Sequence, residues 1–430
     1  MAKSQSPNSE SQPLNPKSQI LNPDLSPLYN VVIGAIWVLI WGAFSSYGPG
    51  FVLSDIFTQS LFNFFNGIRA YFPFLAVFLA LIIFAGKKER ADLKFKKPTL
   101  FLLLYGIIGL VSSLLSTRGI NAVYWALLYI SVVVTGLLLT GYGESTREAK
   151  ILVNTNWIIA FLFVFYLSFG PLRSYIIGRP LPQFYMFPGK VARITQNGVG
   201  RFAGVAVLVA FSRFRQLRSK RNRILWFLLL GFSLNLLSLC QSRSALLGFA
   251  GGAAIILFSL QFHWIAFFAP VFALVIYLSG YLWGSRGSLD ELFSLSGRVK
   301  GQWLPGLHLF KKSPFVGYGF HADRFMLEGI HMHNAFFHSL VQSGILGTIF
   351  FVSAIYGIWF IVFKKKLIRK SAYIKNPENI ILSESLAILT FFTLRSFFES
   401  TGAFYGADLF FLVPAIIYIY AYSEREENKK

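Results

Sequence analysis

The chain has 430 residues, of which 55% are hydrophobic and only 13% are charged, and its formal net charge is +22. Soluble domains carry about 25% charged residues, so this composition excludes an ordinary soluble protein. The basic residues stand in short clusters between apolar runs, which makes the charge a signal of membrane topology, and we expect no nucleic-acid partner. The single cysteine, Cys240, excludes an intramolecular disulfide framework.

Apolar segments of about the length that crosses a bilayer follow one another along the chain. We expect the polar residues 1–28 before them to be a disordered tail and not a cleavable signal sequence. The predicted spans are 29–47, 69–86, 98–116, 120–141, 150–169, 198–211, 224–240, 244–260, 264–282, 334–363, 380–398 and 404–421. The sequence therefore predicts an all-α polytopic membrane protein with about twelve transmembrane helices, in which residues 29–421 form a single domain and 422–430 a short tail.

The charged connections predict how these spans are oriented. Segments 87–97, 212–223 and 364–375 each contain six Lys or Arg residues. Positively charged loops stay in the cytoplasm, and with twelve spans all three fall on one side together with both termini. The longest connection, residues 283–333 between the ninth and tenth spans, then lies on the opposite side of the membrane.

This outer connection of about 50 residues contains the chemistry that the sequence offers. Five of the six histidines of the chain lie in it or just beyond it, and it has too many aromatic residues for a disordered loop. Residues 299–312 are predicted to form a short amphipathic helix at the membrane interface, in spite of Pro305. Two glycines, Gly317 and Gly319, predict tight turns whose backbone approaches another element closely.

Six short motifs stand in or near this connection. They are SRSALLG (242–248), SGR (296–298), Trp303, SPFVGYGF (313–320), HN (333–334) and LVQSGILG (340–347). Together they resemble the signature of the O-antigen ligase and O-antigen polymerase superfamily over about residues 240–350, whereas the other spans agree only in hydrophobicity and number. The resemblance implies a glycosyltransferase that moves a glycan from an undecaprenyl-diphosphate carrier to an acceptor sugar, either as a ligase or as a polymerase.

The same resemblance implies a location and a set of partners. The chain is expected in the inner membrane, with both termini in the cytoplasm and the active site on the periplasmic face. Its expected partners are the carrier-linked glycan donor, a glycan or lipid acceptor such as lipid A-core, and membrane lipids. A metal-independent reaction is implied, and no cofactor is expected. The sequence agrees in having no Asp-x-Asp motif and, for His331, His333 and His338, no standard metal spacing and no nearby acidic partner.

The resemblance also assigns candidate site residues. His333 is the candidate catalytic base, because it stands at the matching HN position and imidazole accepts protons near neutral pH. Arg243 and Arg298 are the candidates for binding the diphosphate, since guanidinium groups give permanent, bidentate contacts to phosphate oxygens. A second tier of candidate substrate contacts consists of Arg193, Arg201 and Asn334. Helix capping is the favoured alternative role for Asn334.

Other polar residues are given structural roles. Arg395 and Glu399, four residues apart on the eleventh span, are predicted to pair with each other. Lys311 and Lys312 are predicted to contact lipid phosphates. Two other classes of protein stay open, a transporter, because a branch of this superfamily is linked to inorganic carbon uptake in cyanobacteria, and a non-catalytic membrane scaffold.

Overall fold

The computed structural model of the protein describes residues 26–44, 67–86, 97–116, 119–141, 145–176, 196–216, 220–240, 242–258, 296–327, 329, 331–371 and 377–429. These residues are helical with no β-strand. The helices, numbered in chain order, are α1 (Ser26–Gly42), α2 (Phe72–Gly86), α3 (Lys97–Leu114), α4 (Gly119–Leu139), α5 (Thr146–Ile176), α6 (Gln196–Gln216), α7 (Lys220–Leu239), α8 (Arg243–Phe258), α9 (Leu304–Lys312), α10 (Ala322–Met326), α11 (Ala335–Lys364), α12 (Leu367–Ser371), α13 (Pro377–Arg395) and α14 (Ala407–Glu427). A 3-10 turn, Arg69–Tyr71, precedes α2.

Six helical stretches in the described residues are long and apolar enough to cross a membrane, so the chain has the architecture of an α-helical membrane protein. They are Arg69–Gly86, Gly119–Leu139, Thr146–Ser168, Arg221–Leu239, Ala335–Lys364 and Ala407–Glu427. Every predicted span except 264–282, which lies outside the described residues, overlaps a helix. The number of twelve spans and their orientation stay predictions.

Helix α14 is the centre of the bundle. Of its apolar window, 89% is buried, and it packs against α13, α5 and α4. By contrast, only 17% of the window at Arg69–Gly86 and 22% of that at Arg221–Leu239 are buried. A helix that is apolar all round and largely uncovered by protein fits a position facing lipid.

A side chain from α5 compensates for a proline inside α14. Pro414 has no N–H group, so the carbonyl of Phe410 one turn earlier loses its helical hydrogen bond. The amide nitrogen of Asn156 donates to that carbonyl at 2.7 Å. The amide oxygen of Asn156 accepts from the indole N–H groups of Trp37 and Trp41 of α1 at 2.8 and 2.9 Å. One buried amide therefore joins α1, α5 and α14.

The segment 313–320 lies against a break in α11 at Gly344, where φ is 61°. At this break the N–H of Ile345 bonds the carbonyl of Pro314 at 2.8 Å instead of the helical carbonyl four residues earlier. The freed carbonyls accept from the loop, Val341 from Tyr318 at 2.9 Å and Gln342 from Gly319 at 2.8 Å. A Cβ at Gly317 would lie 2.6 Å from the backbone nitrogen of Gly344. The predicted close approach of these glycines is thus confirmed.

Residues 299–312, which precede this segment, are helical, as predicted. Ser296–Arg298 and a π-helical turn, Val299–Trp303, lead into α9, which has Pro305 at its start, where a missing N–H costs no hydrogen bond. The indole of Trp303 donates to the carbonyl of Met332 at 2.9 Å and stacks on Phe337. These contacts hold the helical segment against the residues that lead into α11.

The two ends of α14 have different chemistry. Lys370, in the basic segment 364–375, lies 3.5 Å from Glu426 near the last residue of the helix. Glu399 lies in the connection that leads into Ala407, the first residue of α14. The two ends of a helix of this length are about 30 Å apart. Residues 364–371 of the basic segment and Glu399 therefore occupy opposite ends of the bundle.

A candidate active site at one end of the bundle

The carboxylate of Glu399 joins three parts of the chain that are far apart in sequence. Its Oε2 lies 2.9 Å from the Nδ1 of His333. Its Oε1 accepts a hydrogen bond from the amide of Asn197 at 2.6 Å and from the guanidinium of Arg298 at 3.3 Å. The side chain of Glu399 is only 9% exposed, so these partners satisfy a nearly buried charge. We call these four residues the Glu399 network.

The backbone around His333 is fixed by its neighbour. Asn334 is the N-cap of α11, and its amide oxygen accepts from the N–H groups of Phe336 and Phe337 at 2.9 and 3.0 Å. Its amide nitrogen donates to the carbonyl of Phe397 at 3.0 Å. His333 itself has φ of 44°, a conformation that non-glycine residues rarely adopt. The capping role of Asn334 is observed, and it ties α11 to the segment that carries Glu399.

The position of Glu399 determines which nitrogen of His333 is basic. The Nδ1 faces a carboxylate, so it carries the ring proton and donates it. The Nε2 makes no hydrogen bond with any described residue, and the side chain is 33% exposed. A neutral His333 therefore presents an unprotonated Nε2, as a general base must.

Glu399 is ionised at neutral pH. Burial alone would raise the pKa of its carboxyl group, but the hydrogen bond with His333 and the charges of His333, Arg395 and Arg298 outweigh burial and lower this pKa. An ionised carboxylate stabilises the imidazolium that forms when His333 takes up a proton.

We expect Glu399→Gln to destabilise the protein at pH 7 by about 1–3 kcal/mol, the usual cost of weakening hydrogen bonds to a charged group. Because the folded-state pKa of Glu399 is lowered, its contribution is present in full above pH about 4.3 and is lost as the pH falls further. Thermal unfolding of the solubilised protein from pH 7 to pH 3.5 measures this. The half-exposed Glu427→Gln at the other end is the control. A difference between Glu399→Gln and wild type that does not shrink in acid would contradict the prediction.

The two predicted diphosphate ligands lie at this end of the bundle. Arg298 donates through Nη1 to the carbonyl of Phe398 at 2.6 Å and remains 30% exposed. Arg243 is exposed as the first residue of α8. The preceding residue, Ser242, donates to the amide oxygen of Asn197 at 2.7 Å. Arg243 is therefore the chain neighbour of a residue that bonds the Glu399 network.

Two further arginines lie deeper in the protein. Arg201 lies 3.3 Å from the carboxylate of Asp408, and Arg395 donates to the carbonyl of Asn197 at 3.4 Å. Arg395 is fully buried, and its Nε and Nη1 have no hydrogen-bond partner among the described residues. The carboxylate of Glu399 bonds the other members of the Glu399 network, and not Arg395 as predicted. Arg193, of the second tier, lies outside the described residues.

A second polar cluster lies beside His333. The Oδ2 of Asp323 is 3.2 Å from the Nδ1 of His331 and 3.4 Å from the Nδ1 of His338. Asp323 and His338 are fully buried. The prediction that no acidic partner accompanies these histidines is therefore wrong, because α10 brings Asp323 back to them across a turn of the loop.

Sequence reasoning missed Asn197, Asp323 and the part that Glu399 plays. One signal was present, because a carboxylate just beyond an apolar span needs a partner and His333 stands at the matching edge of another span. For Asn197 and Asp323 the sequence contains no comparable signal, since Asn197 is 202 residues from Glu399 and Asp323 reaches the histidines only through a turn of the loop.

These features define the class of the protein, an α-helical membrane protein with a carboxylate-centred network of histidine and arginine at one end of its bundle. Comparison with protein-family models finds no match for the chain, and a search of curated proteins finds none either.

Proposed function

We propose that this protein is a membrane glycosyltransferase that moves a glycan from an undecaprenyl-diphosphate carrier to an acceptor sugar. One observation carries the proposal. The carboxylate of Glu399 is shared between the Nδ1 of His333 and the guanidinium of Arg298, which holds a base and a cation side by side at the end of the bundle. Transfer from a glycosyl diphosphate needs both groups, because the base takes the proton of the acceptor hydroxyl and the cation stabilises the leaving diphosphate.

His333 acts on the acceptor. Its Nε2 takes the proton of the acceptor hydroxyl while that oxygen attacks the anomeric carbon of the donor. The bond between the anomeric carbon and the diphosphate oxygen breaks, and its electron pair leaves with the carrier diphosphate. Glu399 holds the ring in the productive tautomer and stabilises the imidazolium, so it is a positioning residue.

Arginines stabilise the departing diphosphate. Arg298 has further N–H groups beyond the two that contact Phe398 and Glu399, and it is accessible. Arg243 is the second proposed ligand. The buried Arg395 adds positive charge behind the network, where low polarity strengthens its effect. Fixed cations of this kind stabilise a leaving diphosphate without a metal in the reaction itself.

The proposed orientation in the membrane is based on the charge at the two ends of the bundle. The described part of the basic segment, residues 364–371, lies at the end of the bundle opposite Glu399. If this segment is cytoplasmic, the network faces the periplasm, where lipid-linked glycans are assembled on the carrier. We propose an inner-membrane protein with both termini in the cytoplasm.

Glycan analysis in a deletion strain tests the proposal and separates ligase from polymerase. The strain is complemented with wild type, Arg298→Ala or Lys300→Ala at matched expression, Lys300 being an exposed cation on the same helical segment. We expect Arg298→Ala to fail and Lys300→Ala to restore the glycan. Full-length chains left on the carrier would indicate a ligase, and lipid-linked single repeats a polymerase. Normal glycan with Arg298→Ala would contradict the proposal and favour the transporter or scaffold.

A further inference from the structure

Asp323, His331 and His338 have the geometry of a metal site. One ligand atom from each lies within 4.8 Å of the others, and the Oδ2–Nδ1 distances are 3.2 and 3.4 Å. Tetrahedral zinc with bonds of about 2.0–2.1 Å separates neighbouring ligand atoms by about 3.3–3.4 Å. The two distances from the Asp323 carboxylate to the imidazoles therefore match the edges of such a tetrahedron.

The hydrogen bonds of His338 leave its Nδ1 facing the carboxylate. With its amide oxygen turned toward the histidines, Gln342 accepts from the Nε2–H of His338 and from the backbone N–H of His321. The Nδ1 of neutral His338 is then an unprotonated acceptor 3.4 Å from another acceptor, Asp323. The hydroxyl of Ser400 lies 2.8 Å from the same Nδ1. Two acceptors that face each other in a buried place create a site for a cation.

Two buried atoms of the same cluster have no hydrogen-bond partner in the described structure, the Oδ1 of Asp323 and the Nε2 of His321. Buried polar atoms without a partner are rare, and a buried carboxylate is expected to be paired or to coordinate a metal. Asp323 is fully buried, which makes its unpartnered oxygen an observation independent of the ligand distances.

We propose that Asp323, His331 and His338 bind one divalent transition-metal ion, with zinc the best match to two imidazoles and one carboxylate. The ion joins α10 and the loop to the first turn of α11. His333 lies two residues from one ligand and has a left-handed backbone, so the ion fixes the segment that presents the proposed base. It takes no part in the transfer step, and the proposal stands independently of the proposed function.

Arg324 controls access to one ligand. Its Nε donates to the Nε2 of His331 at 2.7 Å, which places the ring proton on the Nδ1 that faces Asp323. Coordination through Nδ1 requires the proton to move to Nε2 and the exposed Arg324 side chain to turn away. Replacing Arg324 by glutamine removes a competing positive charge and supplies an oxygen that accepts from Nε2–H. This change should strengthen metal binding.

Zinc binding to the full-length protein in nanodiscs, with any affinity tag removed, tests the proposal. After chelation, we expect one equivalent of zinc to bind in competition with a chromophoric chelator, and added zinc to raise the melting temperature. Asp323→Asn and His331→Gln should each weaken binding by at least about 100-fold, because each removes a direct ligand. His308→Ala, at an exposed histidine of α9, is the matched control and should bind as wild type does.

The surface variant Arg324→Gln keeps the test decisive even if the buried variants fail to fold. It should bind zinc several-fold more tightly than wild type, and cobalt in place of zinc should give tetrahedral visible absorption. The proposal is overturned if wild type binds less than one equivalent, if binding survives Asp323→Asn in a folded protein, or if Arg324→Gln binds no more tightly.

Discussion

We expect the replacement of His333 by alanine to slow the proposed glycan transfer by about 100- to 10,000-fold, the range for loss of a positioned general base. The acceptor hydroxyl then loses its proton to water, and no side chain of the Glu399 network can replace the imidazole, because Asn197 and Arg298 are donors toward Glu399. Glu399 itself is nearly buried and still bonds Asn197 and Arg298 in this variant. We expect kcat to fall and KM for the donor to change little, since the loss is confined to the transition state.

Purified protein in nanodiscs, with a lipid-linked donor and a soluble or lipid acceptor, gives the measurement. Added imidazole should restore part of the rate to His333→Ala, because the vacated space lies at a partly exposed side chain. His308→Ala is the control for removal of a histidine elsewhere in the loop. Glu399→Gln should lower kcat less than His333→Ala, as befits a positioning residue. A His333→Ala enzyme that retains more than a tenth of wild-type kcat would exclude His333 as the base.

The helices were predictable because their signal is local. A run of apolar residues specifies a helix of a given length wherever it packs, and even the short helix after Pro305 follows from local rules. The cap at Asn334 belongs to the same kind of information, since it depends on backbone geometry within a few residues. The turn at Gly317 is also a local signal, but the sequence does not reveal that this turn approaches the backbone of Gly344.

The Glu399 network was only partly predictable because its members meet across long sequence separations. Glu399 and Asn197 are 202 residues apart, and Glu399 and His333 are 66 apart. Helical periodicity says which face of a helix is apolar, but not which ends of which helices meet. The i,i+4 rule favoured Arg395 as the partner of Glu399, but the carboxylate of Glu399, in the turn past the end of α13, bonds His333, Asn197 and Arg298 instead.

The prediction that no acidic partner accompanies the histidines failed for a related reason. That prediction looked for an acidic residue next to the histidines in the sequence. The carboxylate comes instead from α10, eight residues before His331, and the loop folds back so that Asp323 faces both histidines. A contact that depends on a turn of the loop has no signature in the spacing of the histidines.

Replacing Asn156 by leucine should lower the free energy of unfolding by about 2–5 kcal/mol, because three hydrogen bonds are lost at about 0.6–1.7 kcal/mol each. Two of them satisfy the indole N–H groups of Trp37 and Trp41, and the third satisfies the carbonyl that Pro414 leaves without a helical donor. All these groups are buried inside a membrane bundle, where water cannot replace the amide. Thermal and denaturant unfolding of the solubilised protein measure the loss. Ser168→Ala on the same helix is the control, since its hydroxyl bonds only its own helix at Val164.

A second substitution separates the proline-related part of this effect from the rest. Pro414→Ala supplies the N–H that the carbonyl of Phe410 lacks, so that carbonyl no longer depends on Asn156. The double variant Asn156→Leu with Pro414→Ala should therefore be more stable than the sum of the two single effects predicts, by about the value of one hydrogen bond. Strict additivity would mean that the amide of Asn156 does not compensate for Pro414. The stability of α14 at its centre would then come from packing against α13, α5 and α4, and the buried amide would serve only the two tryptophans of α1.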